Sequence, residues 1–225
     1  MNGLDQIINT FNDMTPEEIA RNDARVDELI KAQEERDAIE RYKTSGAPER
    51  YWTESIDTYN AKSDMQKKAA AGVRGYIEAV KCGAFKSFVM IGNAGTGKTH
   101  LACAIVKAAG GKYRTAPDIV EELRRAKSFT ATETEAQIIK YYGHVSLLVI
   151  DEIGRGISAT DEKYMLYQIL NARYNTRKPT VLISNHTKAD FLQYIGVAAA
   201  DRLVESGEIL EMDGESYRLE LRAQK

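Results

Sequence analysis

Three groups of residues have the types and spacing needed for phosphate chemistry, and the first is a glycine-rich loop. Residues 92–99 match the pattern GxxxxGK[ST] and lie between a predicted strand and a predicted helix. In such a loop, backbone N–H groups surround a β-phosphate, the lysine reaches the β- and γ-phosphate oxygens, and the final hydroxyl ligates magnesium. A chance glycine-rich turn would not explain the flanking strand and helix. The candidate residues for binding ATP are Gly92, Asn93, Ala94, Gly95, Thr96, Gly97, Lys98, Thr99 and the adjacent His100.

The second group is an acidic pair, Asp151 and Glu152, which follows the apolar run Leu147-Leu148-Val149-Ile150. A short run of this kind is typical of a central parallel strand that is covered on both faces. We expect Asp151 to hold Mg²⁺ together with Thr99, and Glu152 to polarise an attacking water as a general base. Two acids after a strand are common on protein surfaces, but one site at the carboxyl edge of a parallel sheet explains both motifs.

The third candidate is Asn185, which ends the next apolar run, Leu182-Ile183-Ser184. At the same sheet edge, its neutral amide could orient the water and sense the γ-phosphate. An asparagine at a strand end is weak evidence alone. Together with the loop and the acids, it predicts an ATPase site in which Lys98, Glu152 and Asn185 are catalytic.

The elements that must position these residues alternate between strand and helix along the chain. This order predicts a three-layer α/β sandwich with a parallel sheet, in the manner of P-loop ATPases. A hairpin is predicted to turn at Asp213-Gly214. Strands are expected at 87–91, 112–115, 147–150 and 180–184, and helices at 63–81, 98–109, 117–127, 133–142, 161–176, 187–194 and 197–205.

The N-terminal part differs in pattern and in charge. Thr15-Pro16-Glu17-Glu18 is typical of a helix start, and the helix should run to about Lys43 with only a narrow apolar stripe, after a short helix around residues 4–11. Residues 1–50 hold 7 Lys/Arg against 12 Asp/Glu, whereas residues 51–225 hold 24 against 21. We predict a helical partner-binding arm (1–44), a linker (45–62) and an ATPase domain (63–225), although a solvated acidic helix would show the same charge.

Length, composition and charge limit the classes of protein to which this chain could belong. The chain has 225 residues and a net charge of −2, which suits one α/β domain with a small appendage and argues against a surface that is basic overall. It carries no signal peptide pattern and no apolar run long enough for a bilayer, so we expect a cytoplasmic protein. Cys82 and Cys103 lack the spacing of a zinc site or a disulfide framework, and both are expected to be buried.

Several segments together resemble the DnaC/IstB family of bacterial AAA+ ATPases. The resemblance covers roughly residues 45–220, without a full AAA+ lid domain. It rests on residues 92–99, 148–154, Ser184-Asn185, Asp201-Arg202-Leu203, the Gly-x-Pro-x-Arg segment at 46–50, and Ser216-Tyr217-Arg218.

The resemblance implies further site residues and partners. Arg202 would be an arginine finger that reaches the γ-phosphate of a neighbouring subunit, and Arg218 a second sensor. One departure is Gly196-Val197-Ala198-Ala199-Ala200, where the family pattern has further charge, so a second interface arginine is missing. Surface pairing of Arg202 with Asp201 is the alternative. A helical insertion would face single-stranded DNA through Arg124, Arg125, Lys127, Lys140 and Tyr141, with Tyr142 beside them, although a solvated helix face with two core tyrosines fits as well.

By the same resemblance, residues 1–44 would bind a DnaB-type replicative helicase hexamer and help to place it on single-stranded DNA, with ATP hydrolysis timing assembly and release. The first alternative is an IstB-type ATPase that helps a DNA transposase. A small-molecule P-loop kinase is less compatible with Asp151, Glu152 and Asn185. A module that uses ATP only structurally is less compatible with the intact Lys98, Asp151 and Glu152.

Overall fold

A computed structural model describes residues 15–214 and 216–217. The predicted helix around residues 4–11, Arg218 and the second strand of the predicted hairpin lie outside the described residues. The chain divides into two compact units, Met1–Glu40 and Arg41–Lys225. Tyr42 and Ala47 belong to the core of the second unit, so that unit begins before the predicted linker.

The described part of the first unit is residues 15–40, which hold all but the last three residues of helix α1 (Pro16–Lys43) and confirm the predicted helix. Val26, Leu29 and Ile30 follow the i, i+3, i+4 spacing that places side chains on one helix face. Each of the three is between 50% and 60% exposed. This unit therefore presents a short apolar patch, which we call the arm patch, among acidic and basic residues.

The second unit is built on a five-stranded sheet in the order β2-β3-β4-β1-β5, and every pair of neighbouring strands is parallel. This confirms the predicted fold class. The strands are β1 (Ser87–Ile91), β2 (Lys112–Thr115), β3 (Leu148–Ile153), β4 (Thr180–Ser184) and β5 (Gly207–Glu211). The helices are α2 (Asp64–Lys81), α3 (Lys98–Ala109), α4 (Ala116–Arg125), α5 (Glu135–His144), α6 (Ala159–Asn175), α7 (Lys188–Ile195) and α8 (Val197–Ser206), and a short 3₁₀ helix covers Glu49–Tyr51.

The two faces of the sheet bury separate cores. Strand β1 shows the division, since Phe88 and Met90 pack with α2 and α3, whereas Val89 and Ile91 pack with the helices of the other face. This alternation follows from the two-residue period of a strand. Helices α2 to α8 start within two residues of the predicted positions. Ser63, for example, caps α2 through a complete capping box.

Helix α6 contains a fully buried arginine at its carboxyl end. Arg173 is 1% exposed, and its guanidinium donates to the carbonyl oxygens of Tyr142, Val145 and Pro179 and to the Thr180 hydroxyl. Burial lowers the pKa of Arg173 to about 10, so the side chain stays charged near neutral pH. These bonds fasten α6 to the end of α5 and to the start of β4, at the sheet end opposite to the strand ends that carry the motifs.

The two cysteines differ in exposure. Cys103 is buried as expected, and burial raises the pKa of its thiol to about 12, whereas Cys82 is exposed. The prediction for Cys82 is wrong because this residue follows the last turn of α2, where the chain has already left the core. Among the described residues, no helix is long and apolar enough to cross a membrane.

Candidate nucleotide-binding site

The carboxyl ends of three adjacent strands meet at one cavity of about 680 Å³. The glycine loop follows β1, the acidic pair lies at the end of β3, and Asn185 follows β4. Crevices at the carboxyl ends of parallel strands are the usual ligand sites of α/β folds. The cavity brings together most of the predicted site residues: Ala94, Gly95, Thr96, Gly97, Lys98, Thr99, His100, Asp151, Glu152 and Asn185.

The glycine loop is shaped to present backbone to a ligand. Gly97 has φ +98°, and a Cβ at this position would lie 2.8 Å from the ring of Tyr59, so a larger residue is excluded by both strain and contact. Helix α3 begins directly after Gly97, and the positive end of its dipole faces the cavity. Lys98 is 5% exposed, and its Nζ donates to the carbonyl oxygens of Gly92 (2.8 Å) and Asn93 (2.6 Å).

Thr99 and Asp151, the two predicted metal ligands, are in direct contact. The Thr99 hydroxyl donates to Asp151 Oδ2 at 2.8 Å, and the Tyr113 hydroxyl on β2 donates to the same oxygen at 2.7 Å. Burial and the adjacent carboxylate both raise the pKa of Tyr113, so its hydroxyl stays protonated. It therefore donates the hydrogen bond that holds the Asp151 carboxylate in position. Two oxygen ligands on rigid elements fit a hard cation such as Mg²⁺. Tyr113 was not predicted from the sequence, because nothing local marks a strand tyrosine as a partner of Asp151.

Glu152 lies in a β-bulge, which the sequence did not reveal. Pairing of β3 with β4 shifts between Ile150 and Ile153, so β3 carries one extra residue there. Glu152 has φ +59°, a conformation that costs a residue with a Cβ of order 1–3 kcal/mol. Its N–H donates to Asp151 Oδ1 at 2.6 Å, and Ser184 Oγ donates to the next carbonyl, Ile153 O, at 2.8 Å. The bulge thus turns an exposed carboxylate into the cavity, within β3 and not after it as predicted.

A second wall of the cavity comes from the segment that was predicted to be a linker. Pro48, Arg50, Tyr51 and Tyr59 line the cavity, and the Tyr59 hydroxyl donates to the carbonyl oxygen of Thr96 at 3.2 Å. His100, on α3, meets this wall: its ring lies edge-on to Tyr59, and its Nε2 is 3.1 Å from the Ser55 carbonyl oxygen. Aromatic rings beside a phosphate loop suit a nucleotide base and ribose, so this wall extends the candidate site.

Arg202 is remote from this cavity in its own chain. It lies on α8, where its Nη1 donates to the Ala198 carbonyl oxygen at 2.9 Å. Its guanidinium lies over the rings of Tyr174 (5.6 Å) and Tyr167 (5.9 Å). Among the described residues it makes no ion pair with Asp201. The structure therefore gives Arg202 a stacking environment, and any contact with a nucleotide has to be made to another subunit.

The candidate DNA-binding residues are in two different environments. Three of the cations pair within the chain: Arg124 with Asp161 (2.7 Å), Arg125 with Glu121 (3.0 Å) and Lys127 with Glu135 (3.7 Å). Lys140 and Tyr141 line an open groove on α5. Tyr142 is 1% exposed and bonds to Glu122 and Arg114, so the idea that it offers a stacking face is wrong.

The parallel sheet, the glycine loop after β1 and the acidic pair on β3 define a P-loop ATP-binding protein. A family model described as "IstB-like ATP binding protein" matches residues 5–225. The chain belongs to this family.

Proteins similar in sequence to this chain include some named as helicase loaders and one named as an insertion-sequence protein. The chain is 30% identical over 185 residues to "Replicative helicase loader DnaC" of Buchnera aphidicola, covering 77% of this chain and 73% of that protein. It is 30% identical over 154 residues to the protein of the same name from Escherichia coli, where the match spans 66% of this chain and 62% of the relative. It is also 32% identical over 144 residues to "Insertion sequence IS21 putative ATP-binding protein" of Pseudomonas aeruginosa, covering 60% and 53%.

Solved structures support the fold. The crystal structure of the DnaC helicase loader matches with a TM-score of 0.65 at 24% identity, over 74% of this chain and 100% of that chain. The replication initiator DnaA, bound to AMPPCP and single-stranded DNA, matches with a TM-score of 0.58 at 20% identity, over 79% of this chain and 55% of that chain. At these identities, the likeness concerns the architecture of the sheet and its helices.

Proposed function

We propose that this protein is an ATP-dependent loader that binds a DnaB-type replicative helicase hexamer and helps to place it on single-stranded DNA. The observation that carries the proposal is the 30% identity, over 77% of the chain, to a protein named as a replicative helicase loader. The exposed arm patch on α1 supports it as a docking element that lies outside the ATPase core. Lys140 and Tyr141 in the α5 groove are the proposed DNA contacts, because Arg124, Arg125 and Lys127 would first have to leave their carboxylates.

The proposed chemistry is slow hydrolysis of ATP to ADP and phosphate. Lys98 would contact the β- and γ-phosphates, Glu152 would take a proton from the attacking water, and Asn185 would orient that water. Thr99 and Asp151 would hold Mg²⁺, which neutralises charge on the phosphate oxygens when it is bound. Tyr113 keeps Asp151 in position through its 2.7 Å hydrogen bond.

The loader proposal predicts that the arm patch captures the helicase. Replacing Leu29 and Ile30 by Asp should weaken capture of the helicase hexamer by about 100-fold or more, because each apolar side chain buried at an interface contributes about 1.5–3 kcal/mol. A pull-down with the replicative helicase of the organism that carries the gene, in the presence of ATP, measures this. Arg21→Asp lowers the net charge by the same two units and lies five or more residues from every member of the patch, outside the i±3 and i±4 neighbours, so it is the matched control.

The outcomes of this pull-down separate the possibilities. Loss of capture in the patch variant alone, with ATP hydrolysis intact, supports docking through α1. Equal capture by wild type and patch variant would remove the arm from the proposal. Deletion of residues 1–40 is a cleaner truncation than one ending at residue 44, because Tyr42 is only 4% exposed and belongs to the core.

A second prediction concerns Arg202 as a finger residue supplied to a neighbouring subunit. Arg202→Ala should leave ATP binding within about twofold while lowering DNA- or partner-stimulated hydrolysis by about 1,000-fold, the low end of the effect of an arginine finger. The measurement compares nucleotide affinity with phosphate release, with and without single-stranded DNA. Arg202→Lys keeps the charge but loses the planar fork, and we expect only weak rescue.

If the Arg202→Ala variant hydrolyses ATP normally in the presence of DNA or partner, then stacking on Tyr167 and Tyr174 is the whole role of Arg202. If the variant loses ATP binding to the same extent as hydrolysis, then Arg202 serves nucleotide binding and not the transition state, and the finger assignment is rejected.

The second candidate function is that of an ATPase partner of a DNA transposase. It is favoured by the IS21 relative at 32% identity and by the description of the family model. Failure of the wild-type protein to capture any replicative helicase, together with capture of a transposase encoded beside it, would establish this alternative. The ATP-binding site is the same in both cases.

A further inference from the structure

The loop that follows the acidic pair carries a cation into the nucleotide cavity. Residues 154–156 read Gly-Arg-Gly, and the exposed Arg155 lines the cavity together with Lys98, Glu152 and Asn185. None of the three groups of motif residues includes Arg155. Among residues 15–214 and 216–217 it makes no ion pair, so its charge is available to a ligand.

A buried carboxylate holds this loop in place. Glu162 on α6 is 0% exposed, and its two oxygens accept hydrogen bonds from the N–H groups of Gly154 (2.6 Å) and Gly156 (3.0 Å). Within the described part of the chain Glu162 pairs with no cation, which is a costly placement for a carboxylate unless its hydrogen bonds are satisfied. The buried carboxylate of Glu162 is therefore satisfied by the backbone on both sides of Arg155, and it fixes that backbone in place.

Close steric contacts restrict the backbone of the same loop at both of its glycines. Gly154 has φ +87°, and a Cβ on it would collide with the ring of His186, next to Asn185. A Cβ on Gly156 would collide with the carboxylate of Glu162. The backbone N–H of Arg155 also donates to the Glu152 carbonyl oxygen at 3.1 Å. The loop therefore has little freedom to withdraw Arg155 from the cavity.

Arg155 lies beside the residues that mark the terminal-phosphate end of the candidate site. Tyr51 and Tyr59 belong to the wall formed by residues 48–59, which suits the base and ribose, while Glu152 and Asn185 mark the end where the terminal phosphate would lie. A cation beside the acidic pair is thus placed for the γ-phosphate and lies farther from the phosphates that ADP shares with ATP.

We propose that Arg155 is a γ-phosphate-contacting residue of this site, positioned by Glu162, and that it makes the protein discriminate ATP from ADP within a single chain. The inference rests on the proposed binding of ATP at the glycine loop. It differs from the role of Arg202, which would act on the nucleotide of a neighbouring subunit.

Arg155→Ala tests the contact in the full-length protein. We expect the affinity for the non-hydrolysable analogue AMPPNP with Mg²⁺ to fall by about 10- to 100-fold, the range for a lost hydrogen bond to a charged group, and the affinity for ADP to change by less than about twofold. Isothermal titration of both nucleotides gives the ratio directly. Arg177→Ala is the matched control, since Arg177 is exposed at the opposite end of the sheet and lies over Phe85.

Each result decides a different point. Unchanged AMPPNP affinity, or an equal loss of AMPPNP and ADP, would overturn the γ-phosphate contact. If the wild-type protein binds neither nucleotide, the proposed function fails, and this is distinguishable from failure of Arg155 alone. Glu162→Gln, which keeps the size but replaces one acceptor by a donor, should lower AMPPNP affinity selectively; equal loss of both nucleotides would make Glu162 a purely structural residue.

Discussion

Replacing Lys98 by Ala should abolish tight ATP binding, with an expected loss of about 100-fold or more, since hydrogen bonds to a charged group contribute about 1.5–3 kcal/mol each and Lys98 would make at least two. Lys98 is 5% exposed and sits within a loop whose carbonyl oxygens already bind its ammonium group. The side chain is therefore preorganised beside the cavity, and little ordering is required when phosphates bind. Titration with ATP and Mg²⁺ measures the loss.

Lys68→Ala is a suitable control for this substitution, because Lys68 is exposed on α2 and does not line the cavity. Its ATP affinity should equal that of the wild-type protein. Unchanged affinity in Lys98→Ala would contradict the assignment of residues 92–99 as the phosphate-binding loop.

Replacing Glu152 by Gln should stop hydrolysis while leaving ATP bound. A general base contributes about 100- to 10,000-fold to the rate, and the amide cannot accept the proton from water. The substitution keeps the side-chain size and the positive-φ backbone of the bulge, so binding of ATP should stay within about twofold. Phosphate release under saturating ATP, measured beside nucleotide affinity, separates the two effects.

Glu78→Gln serves as the control for the loss of one negative charge, since Glu78 is exposed on α2 and away from the cavity. Hydrolysis at the wild-type rate in Glu152→Gln would show that another group activates the water. A variant that fails to bind ATP would instead assign Glu152 to binding, contrary to the proposed role.

Much of the fold could be predicted because its signals are local. Continuous apolar runs of three or four residues marked β1, β3 and β4, and the helix predicted from Ser63 is α2, which begins at Asp64. The loop at 92–99 and the acidic pair have motif spacing that the cavity brings together. One available signal was missed: Ile138 and Tyr142 are four residues apart on α5 and share its buried face, whereas Tyr141 points elsewhere.

The partners of the motif residues could not be predicted, because they come from distant parts of the chain. Tyr113 on β2 reaches Asp151 on the neighbouring strand β3, and the ring of Tyr59 fills the space beside Gly97 that a side chain would need. Glu162 looked like an ordinary acid in the first turn of a helix. The bulge at Glu152 depends on how β3 pairs with β4, which no periodicity within β3 reveals.

Hydrogen bonds made by buried charged side chains fasten helix α6 at both of its ends. Glu162 ties its amino end to the loop at 154–156, and Arg173 ties its carboxyl end to three carbonyl oxygens and Thr180. Between these anchors, Tyr164 and Tyr167 are 46% and 42% exposed. Because Glu162 is bonded to Gly154 and Gly156, the amino end of α6 and the loop that carries Arg155 can change position only together, unless these hydrogen bonds break.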